Sequence, residues 1–194
     1  MGTREAAAAV VIRTHLGWVA AAARNGRVVA LSLLASSREA AARGLGLEAD
    51  FQQTRDLLRQ LAEDLRRYFA GEPVEFGRYE VDLAKQPRFL RRALTAARRI
   101  PYGQVRAYGW VAKAAGNPRA ARAAGQAMAR NPVPIIIPCH RVIASDGSLG
   151  GFGGGLAMKR RLLELEGVRV PEALGRLWVL GAGCLQGAMK PTHT

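Results

Sequence analysis

Twelve residues in the middle of the chain, Asn131-Pro132-Val133-Pro134-Ile135-Ile136-Ile137-Pro138-Cys139-His140-Arg141-Val142, restrict the fold more than any other stretch. Pro132, Pro134 and Pro138 fix the backbone and withhold amide donors, so neither a helix nor a central strand can run from Asn131 to Pro138. The residues between them are apolar and β-branched, which predicts a buried extended segment. That segment delivers a thiol, an imidazole and a guanidinium in succession. A stiff apolar lead-in can hold a sulfur in a fixed, dry place. A cysteine taken at random in an intracellular protein more often serves as a small hydrophobe, and the residues around this one decide against that use.

Charge is the second constraint. The chain of 194 residues carries a net charge of +14, but unevenly. Residues 1–85 hold 12 Lys/Arg against 11 Asp/Glu, and residues 162–194 hold three against three. Residues 86–161 hold 14 basic residues against one acid, Asp146, and this segment contains Cys139. A basic composition inherited from the genome would spread along the chain; its concentration here predicts a face for a polyanion, nucleic acid before a membrane surface. Binding through such a face releases counterions and weakens with salt. At 49% hydrophobic and 23% charged residues the composition is that of a globular protein, and no run approaches the length of a membrane span. No signal peptide is expected: the apolar run Ala6 to Ile12 is short and bounded by Glu5 and Arg13. Cys139 and Cys184 do not form a disulfide framework and suit a reducing cytosol. His15, His140 and His193, without a CxxC, compose no zinc site, so neither metal nor cofactor is expected.

The first 85 residues predict a small α/β domain, a structural platform without visible chemistry. Val10–Arg13, Trp18–Ala23 and Arg27–Leu34 are apolar or alternating runs, with Asn25-Gly26 as a hairpin turn. Ala35–Asp50 is read as loop with one short helix. Phe51–Phe69 is helical by its three- and four-residue apolar steps, Phe76–Leu83 is a strand or extended linker, and Lys85-Gln86-Pro87 marks a boundary. Residues 88–100 predict an amphipathic helix stopped at Pro101-Tyr102-Gly103. Val105–Ala115 and Arg119–Arg130 predict two more helices, joined at Gly116-Asn117-Pro118 as a helix-turn-helix. The second of these is nearly all small residues, with Gln126 as its only amide. It is poorly equipped to read base edges in a major groove, but its backbone can approach a narrow surface closely, with Arg122 reaching in; a tightly packed core helix is the plain alternative. Gly150-Gly151-Phe152-Gly153-Gly154-Gly155 lacks the Lys-Ser/Thr of a phosphate loop and reads as a thin pocket wall around one aromatic ring. A helix follows over 156–167, and a polar stub ends the chain.

The run from Ile100-Pro101-Tyr102-Gly103 through Tyr108, Gly116-Asn117-Pro118, Ala121-Arg122-Ala123, Asn131-Pro132, Ile137-Pro138-Cys139-His140-Arg141-Val142, Gly153-Gly154-Gly155-Leu156, Lys159 and Glu166-Gly167 resembles the O6-alkylguanine-DNA alkyltransferases, or methylated-DNA–protein-cysteine methyltransferases. The likeness spans about residues 82–168. It implies an α/β plus α fold, with a ribonuclease-H-like N-terminal domain (1–85) and a helix-turn-helix alkyltransferase domain (86–170); residues 171–194, with Cys184, form a C-terminal extension outside the likeness and have no assigned role. It implies Cys139 as alkyl acceptor, His140 as its base through a water, Glu166 as the partner of that histidine, and Asn131 as a brace. Arg122 would fill the gap left by an extruded guanine, Tyr108 would press the adjoining phosphate, and Arg119, Arg130 and Ala121 would complete the DNA face. Val142, Phe152, Gly153 and Gly154 would line the base pocket. Where relatives often carry a tyrosine and a serine or alanine, this chain has Gly151-Phe152-Gly153, so hydroxyl hydrogen bonds are missing.

The activity this implies is irreversible transfer of an alkyl group from O6-alkylguanine, and from O4-alkylthymine, in double-stranded DNA to Cys139. One turnover per molecule follows, because a thioether offers no hydrolysis route. A cytoplasmic monomer acting on DNA, away from membranes, is expected. Three other readings make different demands. A lesion-sensing relative without transfer would lack the reactive cysteine, a helix-turn-helix regulator would need polar base-reading side chains, and a cysteine hydrolase would turn over.

Overall fold

The computed structural model describes residues 7–51, 56–170, 172–173 and 176–177. Two compact units emerge from the chain: residues 1–85 together with Pro132–Ile136, and residues 86–131 together with 137–194.

In the first unit, β1 (Ala7–Thr14), β2 (Gly17–Arg24) and β3 (Arg27–Leu31) form an antiparallel meander. Asn25 and Gly26 make the turn between β2 and β3 at φ 51° and 72°, the pair of left-handed conformations that a two-residue hairpin of matching twist requires. A short β4 (Ala49–Asp50), unforeseen from the sequence, lies parallel to β1 and completes the order β3-β2-β1-β4. The strands are rich in alanine because both faces are covered. Ala7, Ala9, Ala20, Ala22 and Ala30 pack with Ala41 and Leu45 from α1 (Arg38–Arg43) and the turn after it. The alternate residues Ala8, Ile12, Val19 and Ala21 are equally buried, and α2 (Asp56–Phe69) packs on β1 and β2 as well. Small side chains let helices sit close to both faces.

Three expectations are corrected here. The third strand ends at Leu31 rather than Leu34, where Ser32 turns its hydroxyl to accept from the Ala20 amide at 2.7 Å. Residues Phe76–Arg78 form a 3₁₀ turn, and only Val81 bridges to Val28. Val133–Ile136 is buried, as predicted, but not extended: Ile135 turns the chain at φ 73°, a left-handed conformation rare for a β-branched residue. That turn belongs with the meander, since the Pro132 carbonyl accepts from the Leu31 amide at 2.9 Å.

The second unit is mainly helical. Here α3 (Arg88–Ala97) packs against α4 (Tyr108–Ala114) and α5 (Ala121–Ala129) through Leu90, Ala93, Leu94 and Ala97. The helix expected from Val105 starts at Tyr108 instead, because Arg106-Ala107 (β5) pairs in parallel with Val142-Ile143 (β6). Gly116, at φ 88°, makes the sharp turn between α4 and α5. The helix α6 (Leu156–Leu165) closes the unit over Val105, Ile143, Leu149 and Val168. A two-residue pair, β7 (Glu172–Ala173) with β8 (Arg176–Leu177), follows. Cys184, His193 and most of the expected 171–194 extension lie outside the described residues.

Candidate active site and DNA-binding face

The chain leaves α5 at Arg130, passes the proline-rich turn and returns as a single 3₁₀ turn, Cys139–Arg141. Cys139 is 4% exposed. Asn131 spans the turn: its Nδ2 donates to the Ile137 carbonyl at 2.7 Å and to Cys139 Sγ at 3.1 Å. Burial pushes the thiol pKa up, while the Asn131 amide donor and the nearby Lys159 charge pull against it. The sulfur is thus a neutral thiol at rest, in a site already furnished to receive a thiolate.

Behind it stands Glu166, fully buried and heavily subscribed. His140 Nε2 lies 2.7 Å from Oε1, Arg141 donates to both carboxylate oxygens at 2.8 and 2.9 Å, and the Gly103 amide donates to Oε2 at 3.2 Å. Burial alone would raise the Glu166 pKa, but His140 and Arg141 hold it far below the carboxylate range. An ionised Glu166 can only accept, so His140 Nε2 carries the proton and Nδ1 is the basic nitrogen. Burial lowers the pKa of His140, against the pull of Glu166, and keeps the ring neutral.

In the sequence Arg141 is conspicuous only as part of a run, yet it anchors Glu166 and also donates to the Ile100 carbonyl at 2.6 Å. Its signal was available: a guanidinium inside an apolar segment has to be paired. Lys159 is the second such residue. It is wholly buried; its ammonium donates to the Val142 carbonyl at 2.6 Å and to the Leu149 carbonyl, and reaches Gly151 O at 3.5 Å. It lies over the Tyr108 ring, 5.7 Å from the centroid, and burial lowers its pKa to about 8. Lys159 therefore fastens the start of the glycine loop to the strand that follows Cys139.

Tyr108, at the head of α4, donates to the Gly151 carbonyl at 3.2 Å. Gly150, at φ 65°, passes so close that a Cβ there would lie 2.9 Å from Tyr108 Cε2. An open groove of about 590 Å³ adjoins this tyrosine, lined by Ala121, Arg122 and Gly125 of α5 and by Gly151, Phe152 and Gly153 of the loop. Of the four residues assigned to a base pocket, Phe152 and Gly153 line this groove. Val142 is buried, with its carbonyl engaged by Lys159, and neither it nor Gly154 is among the lining residues. Arg122 is an exposed residue of α5, whereas Arg119 precedes the helix and Arg130 caps it.

The arrangement thus combines a buried thiol, a donor to its sulfur, a neutral imidazole backed by a fixed carboxylate, and an apolar groove beside a helix of small residues in a basic segment. Comparison with known proteins is decisive. The sequence profile of the 6-O-methylguanine DNA methyltransferase DNA-binding domain matches residues 88–168. The methylated-DNA–protein-cysteine methyltransferase of Mycobacterium tuberculosis is 50% identical over 112 residues, 58% of this chain and 67% of that one. The chain belongs to the methylated-DNA–protein-cysteine methyltransferase family. The crystal structure of the M. tuberculosis O6-methylguanine methyltransferase superposes with a TM-score of 0.68 at 38% identity, over 87% of this chain and 97% of that one. A structure of M. tuberculosis OGT in complex with DNA gives the same score and identity over 81% of this chain and 91% of that one. The family's mixed α/β fold therefore extends over both units, and the profile match covers Asn131, Cys139, His140, Lys159 and Glu166 in one stretch.

Proposed function

We propose that this protein repairs double-stranded DNA by transferring the alkyl group of O6-alkylguanine, and of O4-alkylthymine, to Cys139. The observation that carries the reading is the buried Cys139 thiol, which accepts from Asn131 beside a His140–Glu166 pair locked by Arg141. His140, acting through a water, takes the thiol proton at Nδ1 while Glu166 balances the imidazolium. The sulfur attacks the alkyl carbon, a C–S bond forms as the C–O6 bond breaks, and the electron pair returns to the base. The proton passes back to the guanine, leaving neutral guanine and a thioether. No water route reopens a thioether, so each molecule acts once.

A guanine inside a duplex cannot reach a thiol this deeply buried, so the nucleotide must rotate out at a cost of a few kcal/mol. In this reading α4 and α5 act as a helix-turn-helix that lays α5 along the minor groove. Ala121 and Gly125 permit close approach, Arg122 occupies the vacated stack, and Tyr108 presses the turned phosphate. Arg119 and Arg130 hold the flanking backbone, and Phe152 and Gly153, with Val142 and Gly154 behind, receive the base. The first unit, whose meander with a parallel fourth strand fits a ribonuclease-H-like topology, is a platform. A monomer working in the cytoplasm on chromosomal DNA needs no cofactor for this chemistry.

The test is the intact mass of the protein after incubation with duplex DNA carrying one O6-methylguanine. A gain of one methylene unit, confined to the Cys139 peptide and saturating at one per protein, is expected. Tight binding without a mass gain would replace transfer by lesion sensing, and repeated product release would point to hydrolysis.

A further inference from the structure

A second cationic feature lies outside the groove and is unused by the mechanism. Arg91, Thr95 and Arg99 follow one another at four-residue steps along the exposed side of α3 and the turn after it, with Arg92 beside them. Together with Ala96 and Ala114 they line a shallow cavity of about 280 Å³ that shares no residue with the groove. Among the described residues no carboxylate pairs with Arg91, Arg92 or Arg99, and the whole segment 86–161 offers only Asp146. Three guanidinium groups lining one cavity repel one another. The backbone nevertheless makes room for one of them: Gly116 lets the Arg92 guanidinium lie against the turn after α4, where any Cβ would collide with it. Ala96 and Ala114 leave the floor of the cavity open.

We propose that this cavity is a phosphate site, which takes a backbone phosphodiester of DNA at a point separate from the one held by α5. Guanidinium forks match phosphate oxygens in pairs. Exposed arginines hold a small free anion weakly in water, but a polyanion already held by α5 presents its next phosphates at high effective concentration. That difference favours nucleic acid over a free anion or an acidic protein. The inference rests on the proposed DNA-repair function.

The experiment measures affinity for an undamaged duplex across a salt series, for the wild-type protein and for the Arg91→Gln/Arg92→Gln/Arg99→Gln variant. The log–log slope should become shallower by about 0.9 for each phosphate that is no longer neutralised, while the far-ultraviolet circular dichroism spectrum matches the wild type and certifies the fold. Should the triple variant fail to fold, Arg91→Gln and Arg99→Gln singly should each flatten the slope. An unchanged slope and affinity in folded variants would overturn the proposal. So would a loss confined to stabilisation by pyrophosphate, which would make the cavity a free-anion site, or to capture of an acidic peptide. Failure of the repair function is separate: it appears as absence of a mass gain on wild-type Cys139.

Discussion

Arg141 and Glu166 meet through two bonds, Nε to Oε2 at 2.8 Å and Nη2 to Oε1 at 2.9 Å, with both side chains buried. Oε1 is also the oxygen that His140 reaches at 2.7 Å. The arginine thus fixes the carboxylate, and the carboxylate fixes the tautomer and tilt of the ring. Arg141 needs no contact with any substrate to matter.

Replacing Arg141 by methionine should cost about 3–5 kcal/mol of stability, because a buried carboxylate is deprived of its paired cation. Chemical denaturation of the purified variant measures this. Arg141→Lys should recover part of the stability but less of the transfer rate, since an ammonium cannot reproduce the fork. Equal recovery of both would mean that the fork has no positioning role.

Acid should weaken the fold. His140 has its pKa lowered from 6.5 by burial, so below that pH the unfolded chain binds a proton that the folded chain refuses. Glu166, held below its ordinary 4.5 by His140 and Arg141 against its own burial, acts in the same direction at lower pH. In both cases the unfolded state carries more protons, so unfolding free energy falls as pH drops through 6.5 and further through 4.5. The transfer rate, which needs neutral His140, should hold below pH 6.5 for as long as the protein stays folded. Denaturation midpoints and single-turnover rates at matched pH test the pair; a rate that falls with an apparent pKa of 6.5 or above contradicts the burial argument.

Gly150→Ala should lose about 1–3 kcal/mol, from overlap with Tyr108 Cε2 and from its φ of 65°. Transfer from duplex DNA should slow as Tyr108 shifts, while Gly153→Ala, which meets open space, should leave stability intact. Thermal melts of the two variants side by side give the comparison.

Cys139→Ala should bind lesion-containing duplex as the wild type does and acquire no alkyl mass; retained transfer would remove the central claim. Arg122→Ala should slow transfer from duplex DNA by roughly tenfold or more, equivalent to about 1.4 kcal/mol of lost support for the rotated nucleotide. Its reaction with free O6-alkylguanine base should be affected far less. Equal losses on both substrates would show that Arg122 does not plug the stack.

The meander was legible because Asn25-Gly26 and the apolar runs around it carry their signals locally, and α2 because its apolar residues recur at helical steps. β4 was not, since two residues paired in parallel with β1 have no periodicity to show. Val105 to Ala107 looked helical because the pattern ran smoothly into α4, and tertiary pairing with Val142-Ile143 prevailed over it. At the candidate site the residue types and their order were visible in sequence. What was hidden was the division of labour: how far Glu166 is shared between His140 and Arg141, and that Lys159 turns inward to three carbonyls rather than outward to solvent.

The bond from the Leu31 amide to the Pro132 carbonyl bears on how the gene can be cut. The first unit borrows five residues, Pro132–Ile136, from the interior of the segment that encodes the second. No single cut therefore yields both units intact. A fragment ending at Lys85 lacks the acceptor at the end of β3, and a fragment beginning at Gln86 carries Val133, Ile135 and Ile136 without the meander with which they are grouped. The modularity suggested by the linear boundary is absent from the molecule, and exchanging N-terminal segments between relatives should require exchanging this turn with them.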